Sequence, residues 1–250
     1  IGSIMLPAMK EQGYKPAFSA SLLGCAGSLG TIIPPSIVMV ILGVSMGTSI
    51  GKLFLGGFVP GILAGGALML CSYVIANKDN YPRMPKASVS EKWEALRGAF
   101  LPMMTPAIII VGILQGIFTA TEAGAVAALY ALILSKFKKK KITWSRVLSI
   151  CMEVARTSSV VLFIIAAASL FGWILTAEDI PQKLATAILS VSGNYWVILL
   201  LFNLLLLMLG MFMETIAIIL IIVPIFMPIM QQIGVDPIHL GLIICVNMAL

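Results

Sequence analysis

Charge is scarce in this chain. Aspartate, glutamate, lysine and arginine make up 10% of its 250 residues, against 60% hydrophobic residues; a soluble domain is nearer a quarter charged. A water-soluble enzyme with one core and a charged shell is excluded, and an integral membrane protein with many crossings is implied. Histidine occurs once, as His239. One histidine is a poor catalytic or metal centre, and no Ser-His-Asp set, zinc motif or glycine-rich phosphate loop is present. The four cysteines, Cys25, Cys71, Cys151 and Cys245, stand singly in or beside apolar segments. Without metal or Cys-x-x-Cys spacing they read as small buried hydrophobes. The formal charge is +6, but most of the excess sits in one short loop and does not mark a nucleic-acid surface. The opening residues are not expected to be a secretory leader. Ile1 begins mid-element and Leu250 ends inside an apolar run, so the expectation is a fragment of a longer membrane chain, truncated at both ends.

Apolar runs are what is there, and they predict an all-α, polytopic transmembrane protein. Residues 1–9 end a membrane-embedded segment, and Lys10 to Pro16 form a polar turn. A helix starts near Ala17, breaks at Gly30–Pro35 and resumes to about Gly47. Leu53 to Ala76 is long enough to cross a bilayer, which takes about 20 residues. Asn77 to Arg97 reads as a polar surface loop. Leu101 to Phe118 and Thr119 to Lys136 are two marginal spans. Trp144 to Arg156 is an amphipathic interfacial helix or the start of the span Thr157 to Thr176. A shorter helix covers Ile180 to Val191, a span runs from Tyr195 to Leu209, and Asp236-Pro237 starts a last helix. The Lys/Arg-rich loops 77–97 and 136–146 belong on the cytoplasmic side, and the run Lys139–Lys141 suits either solvation alone or added contact with anionic headgroups. Three parts follow: 1–76, a connecting region 77–156, and 157–250.

The stretch Gly27-Ser28-Leu29-Gly30-Thr31-Ile32-Ile33-Pro34-Pro35-Ser36 interrupts an apolar run. Pro34 and Pro35 have no backbone N–H, and the residue before each is pushed out of the α region. Gly27 and Gly30 relax the backbone just upstream. A helix broken in hydrocarbon leaves polar groups that cost several kcal/mol each unless something satisfies them. Two structures answer to this pattern: a proline kink tolerated by neighbouring helices, and a discontinuous helix whose freed carbonyls and hydroxyls (Ser28, Thr31, Ser36) line a site.

Gly210-Met211-Phe212-Met213-Glu214-Thr215 is a second interruption, with Pro224 and Pro228 beyond it. The segment Gly210 to Met230 either crosses once or folds back as a re-entrant hairpin. A glutamate there is a functional candidate; the alternatives are an aqueous vestibule or a basic partner. In Thr119-Ala120-Thr121-Glu122, Thr119 or Thr121 suits an N-cap and Glu122 the first turn of a helix. Asn203 and Asn247 suit interhelical hydrogen bonds.

The chain also resembles itself. Ile4, Pro7, Met9, Gly13 and Pro16 recur as Ile225, Pro228, Met230, Gly234 and Pro237, each 221 residues on. Paired repeats of this kind build many transporters, with the site at their interface.

The motifs GSLGTIIPPS, TATEAGAVAALYAL, GMFMET…VPIFMPI and SIMLPAMKEQGYKPAFSASL, in that family's order, resemble the large membrane subunit of tripartite ATP-independent periplasmic transporters. The resemblance covers essentially the whole chain. It implies an elevator-type secondary transporter, not an enzyme, in the bacterial inner membrane. It implies two inverted repeats, each with a helical hairpin and a broken helix. Import of an organic acid such as a C4-dicarboxylate or sialic acid would be coupled to sodium, with no other cofactor. A soluble periplasmic binding protein would deliver the substrate, and a small four-helix membrane subunit would complete the machine. By that resemblance residues 1–9 end the first hairpin, 27–36 form the first broken helix and 210–230 the second hairpin. The first hairpin tip and the second broken helix are absent. Where many relatives read Thr-Pro-Thr-Glu, Ala120 replaces the proline.

The resulting expectation is an ion and substrate site built from Ser28, Gly30, Thr31, Pro34, Pro35 and Ser36 together with Gly210, Met213, Glu214 and Thr215. Sodium would take oxygens from Ser28, Gly30, Thr31, Gly210 and Thr215, since hard cations take carbonyl and hydroxyl oxygens. The rivals are a membrane-embedded hydrolase, which lacks a nucleophile–base pair here, and a channel without substrate coupling.

Overall fold

The computed structural model describes residues 2–81, 86–137, 143–191 and 194–250. All described secondary structure is helical: α1 Gly2–Glu11, α2 Pro16–Ser28, a 3-10 turn Leu29–Thr31, α3 Ile37–Met46, α4 Ile50–Lys78, α5 Val89–Leu114, α6 Ala120–Phe137, α7 Trp144–Ala177, α8 Ile180–Val191, α9 Tyr195–Gly210, α10 Thr215–Gln232 and α11 Pro237–Ala249. Helices α4, α5, α7 and α10 are long and apolar enough to cross a membrane. The all-α, polytopic expectation holds.

Two boundaries correct the sequence reading, and the start of α7 decides between its two alternatives for Trp144 to Arg156. The polar stretch up to Arg97 is not all loop, because α5 starts at Val89. Ser88 and Glu91 form a reciprocal capping box that begins the helix before the apolar run does. The apolar run after Leu114 ends in a turn closed by Gly116 at φ +69°. Trp144 to Arg156 is the first part of α7, one uninterrupted helix of 34 residues. The lysine run 138–141 lies outside the described residues. A further correction concerns the cysteines. Cys25, Cys71 and Cys151 are exposed and only Cys245 is buried. Helices with an apolar face toward lipid have no need to bury every small hydrophobe.

The core lies between α3, α4, α9, α10 and α11. Met39, Leu42, Leu53, Phe54, Leu206 and Ile219 are fully buried there. Lipid tails are as apolar as leucine, so dispersion and close approach, rather than expulsion of water, hold these helices together. Small residues permit it: a Cβ at Gly241 would lie 2.8 Å from Leu53 Cδ2, and one at Gly56 2.6 Å from Leu242 Cδ1. Helix α7 packs on α8 and α10 yet buries no residue of its own.

The two copies of the internal repeat share their geometry. Gly13 has φ +82° and Gly234 has φ +83°. Gly13 N donates to Lys10 O and Tyr14 N to Met9 O; Gly234 N donates to Gln231 O and Val235 N to Met230 O. Both pairs are Schellman closures around a left-handed glycine. A proline at the first helical position then starts α2 and α11. Every donor and acceptor is displaced by 221 residues.

Candidate functional site

Helix α2 tightens into the 3-10 turn and stops because its next donors do not exist. In a continuing helix, residues 34 and 35 would donate to the carbonyls of Gly30 and Thr31; as prolines they cannot. Ser36 replaces one bond: its Oγ donates to Thr31 O at 2.7 Å. The same oxygen accepts from Met39 N at 3.4 Å and so caps α3. Ser36 is buried, at 2% exposure, which a hydroxyl tolerates because both its roles are filled. The Pro34–Pro35 bond is cis. Upstream, Thr31 Oγ1 donates to Ser28 O at 2.8 Å and Ser28 Oγ to Cys25 O at 3.0 Å. Each hydroxyl that gives its proton to the backbone keeps lone pairs for a cation. Gly30 is exposed, and Ser28 and Thr31 are half-buried.

The depth of the break follows from α4. The α1–α2 turn meets the far end of α4, where Lys15 Nζ lies 2.9 Å from Asp79 Oδ2 and the Tyr14 ring stacks on Tyr81 at 4.7 Å. The lysine holds the Asp79 carboxyl below its ordinary value, and the carboxylate in turn raises Lys15. Helices α2 and α3 therefore make one crossing and α4 returns. With 29 residues, α4 rises about 44 Å. Ile32 and Ile33 touch α4 at Gly57 and Gly61, and Leu29 reaches Gly65. These positions stand roughly 10 to 22 Å from the first residue of α4, a stretch that a hydrocarbon core of about 30 Å centred on α4 would enclose.

The second interruption is a four-residue turn between α9 and α10. Phe202 and Phe226 have ring centroids 5.1 Å apart, whereas one continuous helix would hold them about 36 Å apart. The chain folds back, with α9 and α10 as arms and residues 211–214 as tip; the segment 210–230 contains the tip and one arm. Glu214 caps α10, its Oε2 accepting from Ile216 N at 2.8 Å and Ala217 N at 3.2 Å. Met211 and Phe212 are each 79% exposed and Met213 is 37% exposed. Gly210 is exposed and Thr215 half-buried.

The two stretches are linked through the end of α11. A Cβ at Gly210 would lie 3.8 Å from Met248 Cε. On the other side Val246, Ala249 and Leu250 share a cavity of about 560 Å³ with Ser28, Leu29 and Ile32. Thr119 and Glu122 form a capping box: Thr119 N and Oγ1 donate to Glu122 Oε2 at 2.8 and 2.9 Å, and Glu122 N donates to Thr119 Oγ1 at 3.3 Å. Capping accounts for this motif without the missing proline. Sequence reasoning overlooked Gly57 and Gly61, although the spelling Gly57-Phe58-Val59-Pro60-Gly61 is a small-xxx-small pattern that marks close helix contact. Among the described residues no cluster of acidic, cysteine and histidine side chains could hold a metal ion, so a cation here would rely on neutral oxygens.

The family model for the DctM component of the tripartite ATP-independent periplasmic transporter matches residues 1–250. This chain belongs to the DctM family. It is 42% identical to the sialic acid TRAP transporter large permease protein SiaM of Vibrio cholerae, over 99% of this chain and 58% of that protein. It is 43% identical to the C4-dicarboxylate TRAP transporter large permease protein DctM of Pseudomonas aeruginosa, over the same shares. The isethionate TRAP transporter permease protein DctMQ of Oleidesulfovibrio alaskensis is 42% identical over all of this chain and 40% of its own length. The DctM-family chain thus spans well under two thirds of these relatives. They are named as transporter permeases. Family membership and the long apolar helices make this a multi-pass protein of the bacterial inner membrane.

Proposed function

We propose that this chain is part of the permease of a sodium-coupled, binding-protein-dependent secondary transporter that imports an organic acid anion by an elevator movement. One observation carries the reading. Inside the hydrocarbon, Pro34 and Pro35 deprive Gly30 O and Thr31 O of their helical donors, beside the hydroxyls of Ser28 and Thr31. Carbonyl and hydroxyl oxygens suit a hard cation such as sodium. Ser28, Gly30 and Thr31 form one ligand cluster; Gly210 and Thr215, at the α9–α10 tip, form a second. Ser36 opens the half-helix α3, whose positive end favours a substrate carboxylate. Met213 and Glu214 shape the tip, and Pro34 and Pro35 hold the first break open. Relatives named for sialic acid, C4-dicarboxylate and isethionate support an anionic organic substrate. The working assembly adds a small four-helix membrane subunit and a periplasmic substrate-binding protein.

The test is uptake and counterflow of labelled C4-dicarboxylate and sialic acid under a sodium gradient. It uses the full-length permease with its small subunit and binding protein in proteoliposomes. Thr31→Ala should raise the half-saturating sodium concentration about tenfold or more, the equivalent of one ion-ligand contact of roughly 1.5–3 kcal/mol. Sodium-independent flux without counterflow would indicate a channel. Unchanged sodium titrations in Thr31→Ala and Ser28→Ala would return the break to a structural kink.

A further inference from the structure

The carbonyl of Ile32 lies just before the two prolines and points at α4. A Cβ at position 57 would stand 2.6 Å from Ile32 O, nearer than side chains come to a backbone oxygen. Only glycine fits, and its α-hydrogen occupies the place a Cβ would take, as in a Cα–H···O contact. Ile32 is 3% exposed, so the residue meets little solvent, and an unsatisfied carbonyl in hydrocarbon is costly. The neighbouring glycines differ. A Cβ at Gly61 meets the Ile33 side chain, at 2.7 Å from Cγ1, and one at Gly65 meets nothing closer than Leu29 Cδ1 at 3.8 Å.

We propose that Gly57 is a positioning residue for the broken helix: by seating the Ile32 carbonyl against α4, it aims the Gly30 and Thr31 oxygens at a common point. Ile32 O is thereby withdrawn from the ligand set while Gly30 O, two residues earlier, remains available. The structure-bearing half of the proposal concerns the break itself; the functional half rests on the sodium reading given above. A Cβ at position 57 must push the break away from α4 and spread the oxygens. Met39 also crowds position 57, and its flexible end can move aside, whereas the carbonyl of a segment pinned by two prolines and the Ser36 cap cannot.

The test uses full-length permease and two readouts. The first is amide hydrogen exchange at Ile32 and Ile33 without sodium or substrate. The second is the half-saturating sodium concentration for uptake with both partner proteins present. Gly57→Ala should speed exchange at Ile32 and Ile33 and raise half-saturating sodium about fivefold or more, the loss expected from one hydrogen-bond-sized contact. Gly65→Ala should match the parent in both. The double variant Gly57→Ala/Met39→Leu removes the methionine methyl while keeping the volume, and it should stay impaired. Recovery in that variant would mean Met39, not the carbonyl, was the obstacle, and would overturn the proposal. So would unchanged exchange in Gly57→Ala, or faster exchange with an unchanged sodium response. The exchange measurement needs no ion, so an unresponsive Thr31→Ala would sink the sodium reading while leaving the seating of Ile32 to be judged by exchange alone.

Discussion

The side-chain amide of Asn247 donates to Oδ1 of Asn203 across 2.6 Å, tying α11 to α9 within the apolar bundle. Each asparagine is also anchored to its own helix, Asn203 Nδ2 on Leu199 O at 2.7 Å and Asn247 Nδ2 on Ile243 O at 2.8 Å. Asn203 lies on the arm that leads to the 211–214 tip, so the pair fixes that arm against the helix that borders the break. Truncating either residue should destabilise the purified permease. In a double-mutant cycle of Asn203→Ala and Asn247→Ala, thermal unfolding should return a coupling of about 0.6 to 1.7 kcal/mol, the range for polar pairs inside membranes. Strict additivity would remove the pair as a link.

Two serines eight residues apart should behave differently. Ser36 both caps α3 and replaces a missing donor at Thr31 O. Ser36→Ala should lower stability by about 1 kcal/mol or more, seen as a reduced melting temperature. Ser28 only back-bonds to Cys25 O. Ser28→Ala should leave melting nearly unchanged and shift the sodium titration instead. The reverse pattern would exchange their roles.

For Glu214 the geometry favours capping. Glu214→Asp should preserve the melting temperature, since aspartate is an equally good cap, while Glu214→Ala should cost about 1 kcal/mol. Sodium half-saturation should stay at the parent value in Glu214→Asp, which keeps the cap. A large sodium shift in Glu214→Asp would mark the carboxylate as a cation ligand.

The Lys15–Asp79 pair carries a pH signature. Asp79 titrates below its ordinary 3.8 because Lys15 bonds it. Its contribution is therefore present above that ordinary value and fades as pH falls through the depressed one. Lys15 titrates above its ordinary 10.5 because Asp79 bonds it, so its contribution is present below 10.5 and fades as pH rises through the raised value. Solvent keeps the effect small. Between about pH 6 and about pH 3, the melting temperature of Asp79→Asn should fall less than that of the parent; equal slopes would show that the pair contributes nothing.

Much of the fold was legible because prolines, glycines and apolar runs act locally. Pro34 and Pro35, two in a row, remove adjacent donors from the helix, and Gly13 and Gly234 close helices by themselves. The start of α5 was legible in principle: Ser88 and Glu91 spell a capping box, but Glu91 to Arg97 carry enough charge to pass for a loop. The role of Glu214 was ambiguous, since an acid at a helix start and an acid facing a cation have the same local spelling. Gly57 was the hardest to see. Its importance comes from a carbonyl 25 positions away, and only the packing of the break on α4 brings the two together.

Helix α7 sets a mechanical condition. Its 34 residues rise about 51 Å, against about 30 Å of hydrocarbon. Lying wholly inside would require a tilt of about 54°, beyond the roughly 40° limit of observed spans. Even at that limit about eight residues project beyond the hydrocarbon, and Arg146, Glu153 and Arg156 make the amino-terminal end the one that emerges. The projecting end is a stiff lever: a change of a few degrees in the tilt of the buried part displaces Trp144 sideways, so bilayer thickness and the stance of α7 are mechanically coupled at the membrane surface.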